Sequence, residues 1–232
     1  MRRSSQKRRT TLREKGSVPV REVPKTKKQQ ATDPAKIETA VRTILEAIGE
    51  DPEREGVKNT PRRVAELYRR IFGGIGKDPA KDLKLYTVEN QDGLILVKDI
   101  LFHSMCEHHL LPFFGRVQLA YLPDENRITG LSSLTKVVET LSRKPQLQER
   151  LTNEIADVLT KALRPRGLLV AVEAEHLCMA MNETNRSGTK TVSYAMRGVM
   201  AEEPVKAEVM SLLGDPDPQA RSNTVARDPD HL

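Results

Sequence analysis

The sequence predicts an α+β fold organised around a mainly antiparallel sheet. Two observations carry this. Apolar residues recur at helical spacing after residue 33 and again after Gly130, whereas β-rich runs fill the middle and the last third of the chain. The order is therefore helix, helix, strands, helices, strands, which is not a βαβ alternation, and no glycine-rich phosphate loop follows a strand.

The elements follow in order. Residues 1–33 are Arg, Lys, Ser, Thr, Gln and Pro with almost no large apolar side chains, which reads as a disordered leader. Asp33-Pro34 starts the first helix, because Asp caps well and Pro suits the first helical position. Ile37, Val41, Ile44, Leu45 and Ile48 then keep helical spacing as far as Gly49. Thr60-Pro61 repeats the start signal, and Val64, Leu67, Tyr68 and Ile71 share one face that ends at Gly73-Gly74. Residues 94–102 are β-rich; Val117, Leu119 and Tyr121 alternate with Gln118, Ala120 and Leu122 before the turn Pro123-Asp124-Glu125-Asn126. Helical spacing returns in Leu134, Val137, Val138 and Leu141, and in Leu151, Ile155, Val158, Leu159 and Ala162. Pro165-Arg166-Gly167 is a turn, residues 168–179 and 189–199 read as strands, and residues 205–213 as a short helix stopped by Gly214. Residues 34–213 form the expected folded unit, and 214–232 a disordered tail.

Charge is unevenly placed. The chain is +6 overall, yet residues 1–33 carry 11 Lys/Arg against 3 Asp/Glu, which leaves residues 34–232 at about −2. The basic excess belongs to a solvated leader, so nucleic acid is not an expected partner. The leader lacks the apolar face of a transit helix and the apolar stretch of a secretory signal. No apolar run approaches membrane-spanning length, so no membrane association is expected. With only Cys106 and Cys178, 72 residues apart, the chain is no disulfide scaffold and reads as cytoplasmic.

Two short clusters carry chemistry. Cys106-Glu107-His108-His109 puts Cys106 and His109 on one side of a turn or helix by their spacing, with His108 pointing elsewhere. His176-Leu177-Cys178 puts a His and a Cys on one face of a strand end, ahead of Leu168, Val170, Val172 and Ala174. Thiolate and imidazole are the donors zinc prefers. Cys106, His109 and Cys178 make three ligands, and three protein ligands with a fourth position open describe a catalytic zinc rather than a structural one. The open position suits an acidified water, and the two remaining histidines, His108 and His176, suit proton transfer.

These residues resemble a known family. Met105-Cys106-Glu107-His108-His109-Leu110-Leu111-Pro112-Phe113 is similar to the signature of GTP cyclohydrolase I. So are Ile128-Thr129-Gly130-Leu131-Ser132, Arg143-Lys144-Pro145-Gln146-Leu147-Gln148-Glu149-Arg150-Leu151-Thr152 and Val172-Glu173-Ala174-Glu175-His176-Leu177-Cys178-Met179. The resemblance spans residues 34–213 and implies a tunnelling fold (T-fold), an antiparallel sheet with helices on one side, preceded by N-terminal helices. It implies a large homo-oligomer, typically a decamer, with active sites at subunit interfaces. The implied reaction opens the guanine ring of GTP at C8, releases formate and closes a dihydropterin ring, the first step of folate or pterin biosynthesis. By motif position Cys106, His109 and Cys178 match zinc ligands, and His108 and His176 the proton-transfer histidines. Glu149, beside Gln148, matches the carboxylate that grips guanine, which suits an edge offering N1–H and a 2-amino group. Read alone, Glu149 is a helix-surface charge next to Arg150. Ser132 matches a residue near ribose and phosphates, and Arg63 a phosphate-binding Arg.

The chain departs from the family where the triphosphate is held. Ser133 stands where Lys is usual, Lys136 where Arg is usual, and Asn182-Glu183 where Arg-Gly or a close variant is usual. A charge-assisted hydrogen bond contributes about 1.5–3 kcal/mol, so losing two costs roughly 3–6 kcal/mol, or about 10²–10⁴ in affinity. Arg63, Lys136, Arg186 and Lys190 are the cations left to compensate. Two alternatives stay open beside GTP hydrolysis: the same ring opening on a purine nucleotide or nucleoside with fewer phosphates, and a non-catalytic paralogue.

Overall fold

The computed structural model describes residues 32–91, 93–181 and 188–213. The tail from Gly214, and all of the leader before Thr32, lie outside the described residues.

Helix α1 (Pro34–Ala47) begins as its sequence dictates: the Asp33 side chain accepts from the Lys36 backbone N–H at 3.2 Å, with Pro34 in the first turn. Gly49, at φ 83°, takes the left-handed conformation that follows a helix end. Helix α2 (Thr60–Ile71) packs chiefly on α1. The pair keeps much of its apolar surface in solvent. Leu45 is buried in α1, whereas Ile44 and Ile48 are 58% and 72% exposed. Leu67, expected on the inner face of α2, is 43% exposed. The segment after α2 is fastened at Gly74, whose N–H donates to the Arg143 carbonyl at 2.8 Å. A Cβ there would stand 2.1 Å from the Thr140 carbonyl oxygen, so only glycine allows this approach.

A two-stranded ribbon pairs β1 (Leu85–Thr87) with β4 (Arg127–Thr129). The main sheet holds β2 (Ile95–Cys106), β3 (Pro112–Leu122), β5 (Pro145–Gln146), β6 (Gly167–His176) and β7 (Lys190–Gly198) in the order β5-β2-β3-β6-β7. Its pairings are antiparallel except for the short parallel contact of β2 with β5. The α+β tunnelling-fold expectation therefore holds, with a curled antiparallel sheet preceded by two helices.

Helices α3 (Leu131–Ser142) and α4 (Gln148–Leu163) cover one face of the sheet. In α4, Leu151, Ile155, Leu159 and Leu163 recur every fourth residue and are all fully buried. They meet Leu168, Val170 and Val172 of β6 and Val117, Leu119 and Tyr121 of β3. Each such side chain contributes about 1.5–3 kcal/mol by leaving water. Opposite parity serves the other face, where Ala120, Leu169 and Ala171 meet Met200, Val209 and Leu213. That cover comes from a 3₁₀ turn (Val199–Ala201) and from α6 (Glu203–Leu213), an addition to the helices expected on one side, and Lys98 Nζ donates to the last carbonyls of α6, Leu212 at 2.6 Å and Leu213 at 3.2 Å.

Two boundaries differ from those the sequence predicts. Strand β2 runs on to Cys106, because its inner end pairs with Pro112 and Phe113 of β3. Strand β6 stops at His176, and Leu177–Ala180 forms a helical turn, α5, so Cys178 is not on the strand. Strand β2 also contains a bulge. Val97 opposes Leu119 and Ile100 opposes Val117, so three steps on β2 match two on β3, with Asp99 at φ 59°. Among the described residues no helix is long and apolar enough to cross a membrane.

Candidate active site and metal centre

Cys106 closes β2, and the chain turns back into β3 within five residues. The Cys106 N–H donates to the Leu111 carbonyl and the Leu110 N–H to the Cys106 carbonyl, both at 2.9 Å, with Leu110 at φ 52°. This tight loop brings His109 back over its start: His109 Nδ1 lies 3.9 Å from Cys106 Sγ. Cys178 arrives from the turn after β6. One ligand atom from each of Cys106, His109 and Cys178 lies within 4.8 Å of the others. Donors of a tetrahedral zinc, at bond lengths of about 2.0–2.3 Å, stand about 3.5–3.8 Å apart, so the cluster fits a metal with little contraction. Burial, then the neighbouring Cys106, push the Cys178 thiol above its ordinary value.

His176 ends β6, opposite Phe113 in the register. Its ring is stacked on that of Phe113, centroids 4.7 Å apart and planes at 2°. Its Nε2 is 2.8 Å from Gln148 Oε1. Burial lowers its pKa from the ordinary histidine value, outweighing the attraction of Glu149. His108 stays at the exposed loop, its ring edge to face with that of His109 at 6.2 Å.

The remaining expected residues divide. Glu149 is exposed in the first turn of α4, its carboxylate in no hydrogen bond among the described residues. Arg150 does not pair with it but grips Glu107 of the metal loop with two bonds, at 2.5 and 3.1 Å. Ser132 and Lys136 are exposed on α3, and Arg63 is exposed on α2. Gln148, expected at the substrate, is instead only 2% exposed, and its side chain is committed to interior partners. Ser133 is also buried: it accepts from the Lys84 N–H and donates to the Asp82 carbonyl, each at 3.3 Å. It ties the segment before β1 to α3 and is not an emptied cation position on an open surface. Lys190 is 2.9 Å from the Glu173 carboxylate. Asn182, Glu183 and Arg186 lie outside the described residues.

Sequence reasoning missed the Glu107–Arg150 pair, the Phe113 stack and the links from α4 to β7. The first joins residues 43 apart, and spacing carries no signal for such a contact. Phe113 was visible inside the signature, but only the register of β3 against β6 assigns its ring to His176.

Comparison with known proteins completes the picture. A family model described as GTP cyclohydrolase I matches residues 37–214. The GTP cyclohydrolase 1 of Carboxydothermus hydrogenoformans is 52% identical over 187 residues, covering 80% of this chain and 97% of that protein. That of Geobacillus kaustophilus is 53% identical over 180 residues, covering 77% and 96%. That of Bacillus subtilis is 51% identical over 175 residues, covering 75% and 92%. The match takes in both chemical clusters and the elements that bring them together, and the chain belongs to the GTP cyclohydrolase I family.

Proposed function

We propose that this chain is a zinc-dependent enzyme that hydrolyses GTP at C8 of the guanine ring, giving formate and 7,8-dihydroneopterin triphosphate. The observation that carries the reading is the convergence of Cys106, His109 and Cys178 from two separate turns, beside a His176 held by Gln148 and Phe113. Zinc held by these three residues would supply Lewis acidity and a water that ionises near neutral pH.

The chain's own residues do the rest. His176, whose burial favours the neutral ring, is suited to take a proton from water as it adds to C8 and to return one to a departing ring nitrogen. His108, exposed at the same loop, is the second proton carrier. The Glu149 carboxylate, free of other bonds, is suited to accept from guanine N1–H and the 2-amino group. Ser132 faces ribose and phosphates, and Lys136 and Arg63 supply positive charge. Arg63 is exposed on α2, which packs chiefly on α1, and this supports a site completed by a second subunit of a homo-oligomer, a decamer by family resemblance. The exposed Ile44 and Ile48 support the same reading. The two free thiols suit a reducing, cytoplasmic setting, and residues 34–213 form the catalytic unit between a leader (1–33) and a tail (214–232).

A second reading, the same chemistry on a purine nucleotide with fewer phosphates, is favoured by the inward Ser133 and by Lys190 turned to Glu173. The test is a panel of GTP, GDP, GMP and guanosine assayed for formate and pterin fluorescence. GTP should be turned over with the highest kcat/KM. Formate from GMP or GDP with none from GTP would select the second reading, and no formate from any of them would defeat both.

A further inference from the structure

The contact between Gln148 and His176 contains more than proximity. The Gln148 amide nitrogen faces three oxygens: the Val172 carbonyl at 3.0 Å, the Thr191 carbonyl at 2.9 Å and Ser193 Oγ at 3.2 Å. Two of these are main-chain acceptors that have no proton to give. The third is in acceptor mode as well. Thr152 donates its hydroxyl proton to the Gln148 carbonyl at 2.8 Å, so in the 2.7 Å contact between Thr152 and Ser193 it is Ser193 that donates. Turning the amide over would set its oxygen against these oxygens in a site only 2% exposed, where an unmade bond costs about 1–3 kcal/mol. The amide therefore has one allowed orientation, with Oε1 toward His176 Nε2 at 2.8 Å. An amide oxygen only accepts, so the neutral imidazole must carry its proton on Nε2. The Phe113 stack fixes the ring plane at the same time.

We infer that Gln148 is a positioning residue that selects the Nε2–H tautomer of His176 and so leaves Nδ1 as the ring's proton acceptor. This rests on His176 being a proton carrier in the reaction proposed above. The Val172 and Thr191 carbonyls then act at one remove: they orient the amide that orients the imidazole. Both polar atoms of the Gln148 side chain are engaged within the protein.

The test uses the intact, metal-loaded protein labelled with ¹³C and ¹⁵N in histidine. Carbon and nitrogen shifts of the neutral imidazole distinguish the two tautomers, and His176→Gln serves only to assign the signal. The wild-type signal should be that of Nε2–H; the Nδ1–H tautomer would overturn the proposal without need of a variant. Gln148→Met keeps the volume and removes the bond. It should populate both tautomers and lower kcat about 10–100-fold, the usual loss when an orienting partner is removed. The KM for GTP should stay within about threefold, because binding is not what was removed. A raised KM with unchanged kcat would place Gln148 at the substrate and overturn the proposal. Ser193→Ala leaves both carbonyls in place and should keep the tautomer and most of kcat; a tautomer change there would show that the carbonyls alone do not fix the amide, against the proposal. A wild-type protein that holds Nε2–H yet releases no formate from GTP would keep the tautomer and remove its catalytic meaning, so the two failures are distinguishable.

Discussion

In the sheet and its two long helices the chain encloses its own core. Leu151, Ile155, Leu159 and Leu163 of α4 are fully buried against β3 and β6, and Cys106 and Cys178 pack at the edge of the same cluster. In α1 and α2, by contrast, Ile44, Ile48 and Leu67 stay in solvent, and the two helices pack chiefly on each other. The difference separates two parts of the proposed chemistry. The expected metal ligands, His176 and Gln148 come together within one chain. Arg63, expected at the phosphates, sits on the part that keeps apolar side chains exposed.

This contrast can be broken at either end. The largest effect is expected at the core-supported cluster. Cys106→Ser and Cys178→Ser should each lose bound metal by elemental analysis and turnover below detection; a protein that keeps one zinc per chain in both variants would defeat the ligand assignment. Next comes the exposed pair. Ile44→Glu with Ile48→Glu should leave far-ultraviolet circular dichroism unchanged but lower the assembly mass in sedimentation and weaken turnover. An unaltered oligomer would mean that this face of α1 is free in solution.

A smaller effect is expected at the Glu107–Arg150 pair, whose side chains are 29% and 46% exposed. The bonds from Arg150 hold the Glu107 carboxyl below its ordinary value. A lowered folded pKa stabilises above the ordinary glutamate range and is lost as pH falls through the lowered value. Glu107→Gln should thus cost up to about 1 kcal/mol at pH 7, as expected for a part-exposed pair. Denaturant titrations of parent and variant should converge as the pH is brought below that range. A gap that persists in acid would mean that Glu107 acts through something other than its charge. The smallest effect is expected from removing residues 1–31, which spares the Asp33 cap of α1. Turnover should change by less than a few-fold; loss of the oligomer would make the leader part of the structure.

What the sequence made legible was local. Cys106 with His109, and His176 with Cys178, stood close enough in the chain for spacing to pair them, and periodicity found the helices and most strands. The cluster survived even though Cys178 lies on a helical turn and not on the strand, because the turn begins at once after His176. What stayed hidden was non-local. The inward turn of Ser133 depends on the segment at Asp82 and Lys84, and the role of Gln148 on backbone carbonyls from two different strands. A glutamine beside a glutamate in a familiar motif gives no sign that one is enclosed and the other in water.

The extra residue in β2 has a consequence like that of a reading frame. Before it, odd-numbered Ile95 and Val97 face α3 and α4; beyond it, even-numbered Ile100, Phe102 and Cys106 do. Cys106 therefore lies on the helix side because the bulge absorbs the extra residue. Were the strand to keep every residue and run on in a regular pleat, Cys106 would turn to the opposite face; taking Asp99 out as well would restore the pairing of Ile100 with Val117 and return Cys106 to the helix side, so the bulge and its extra residue cancel.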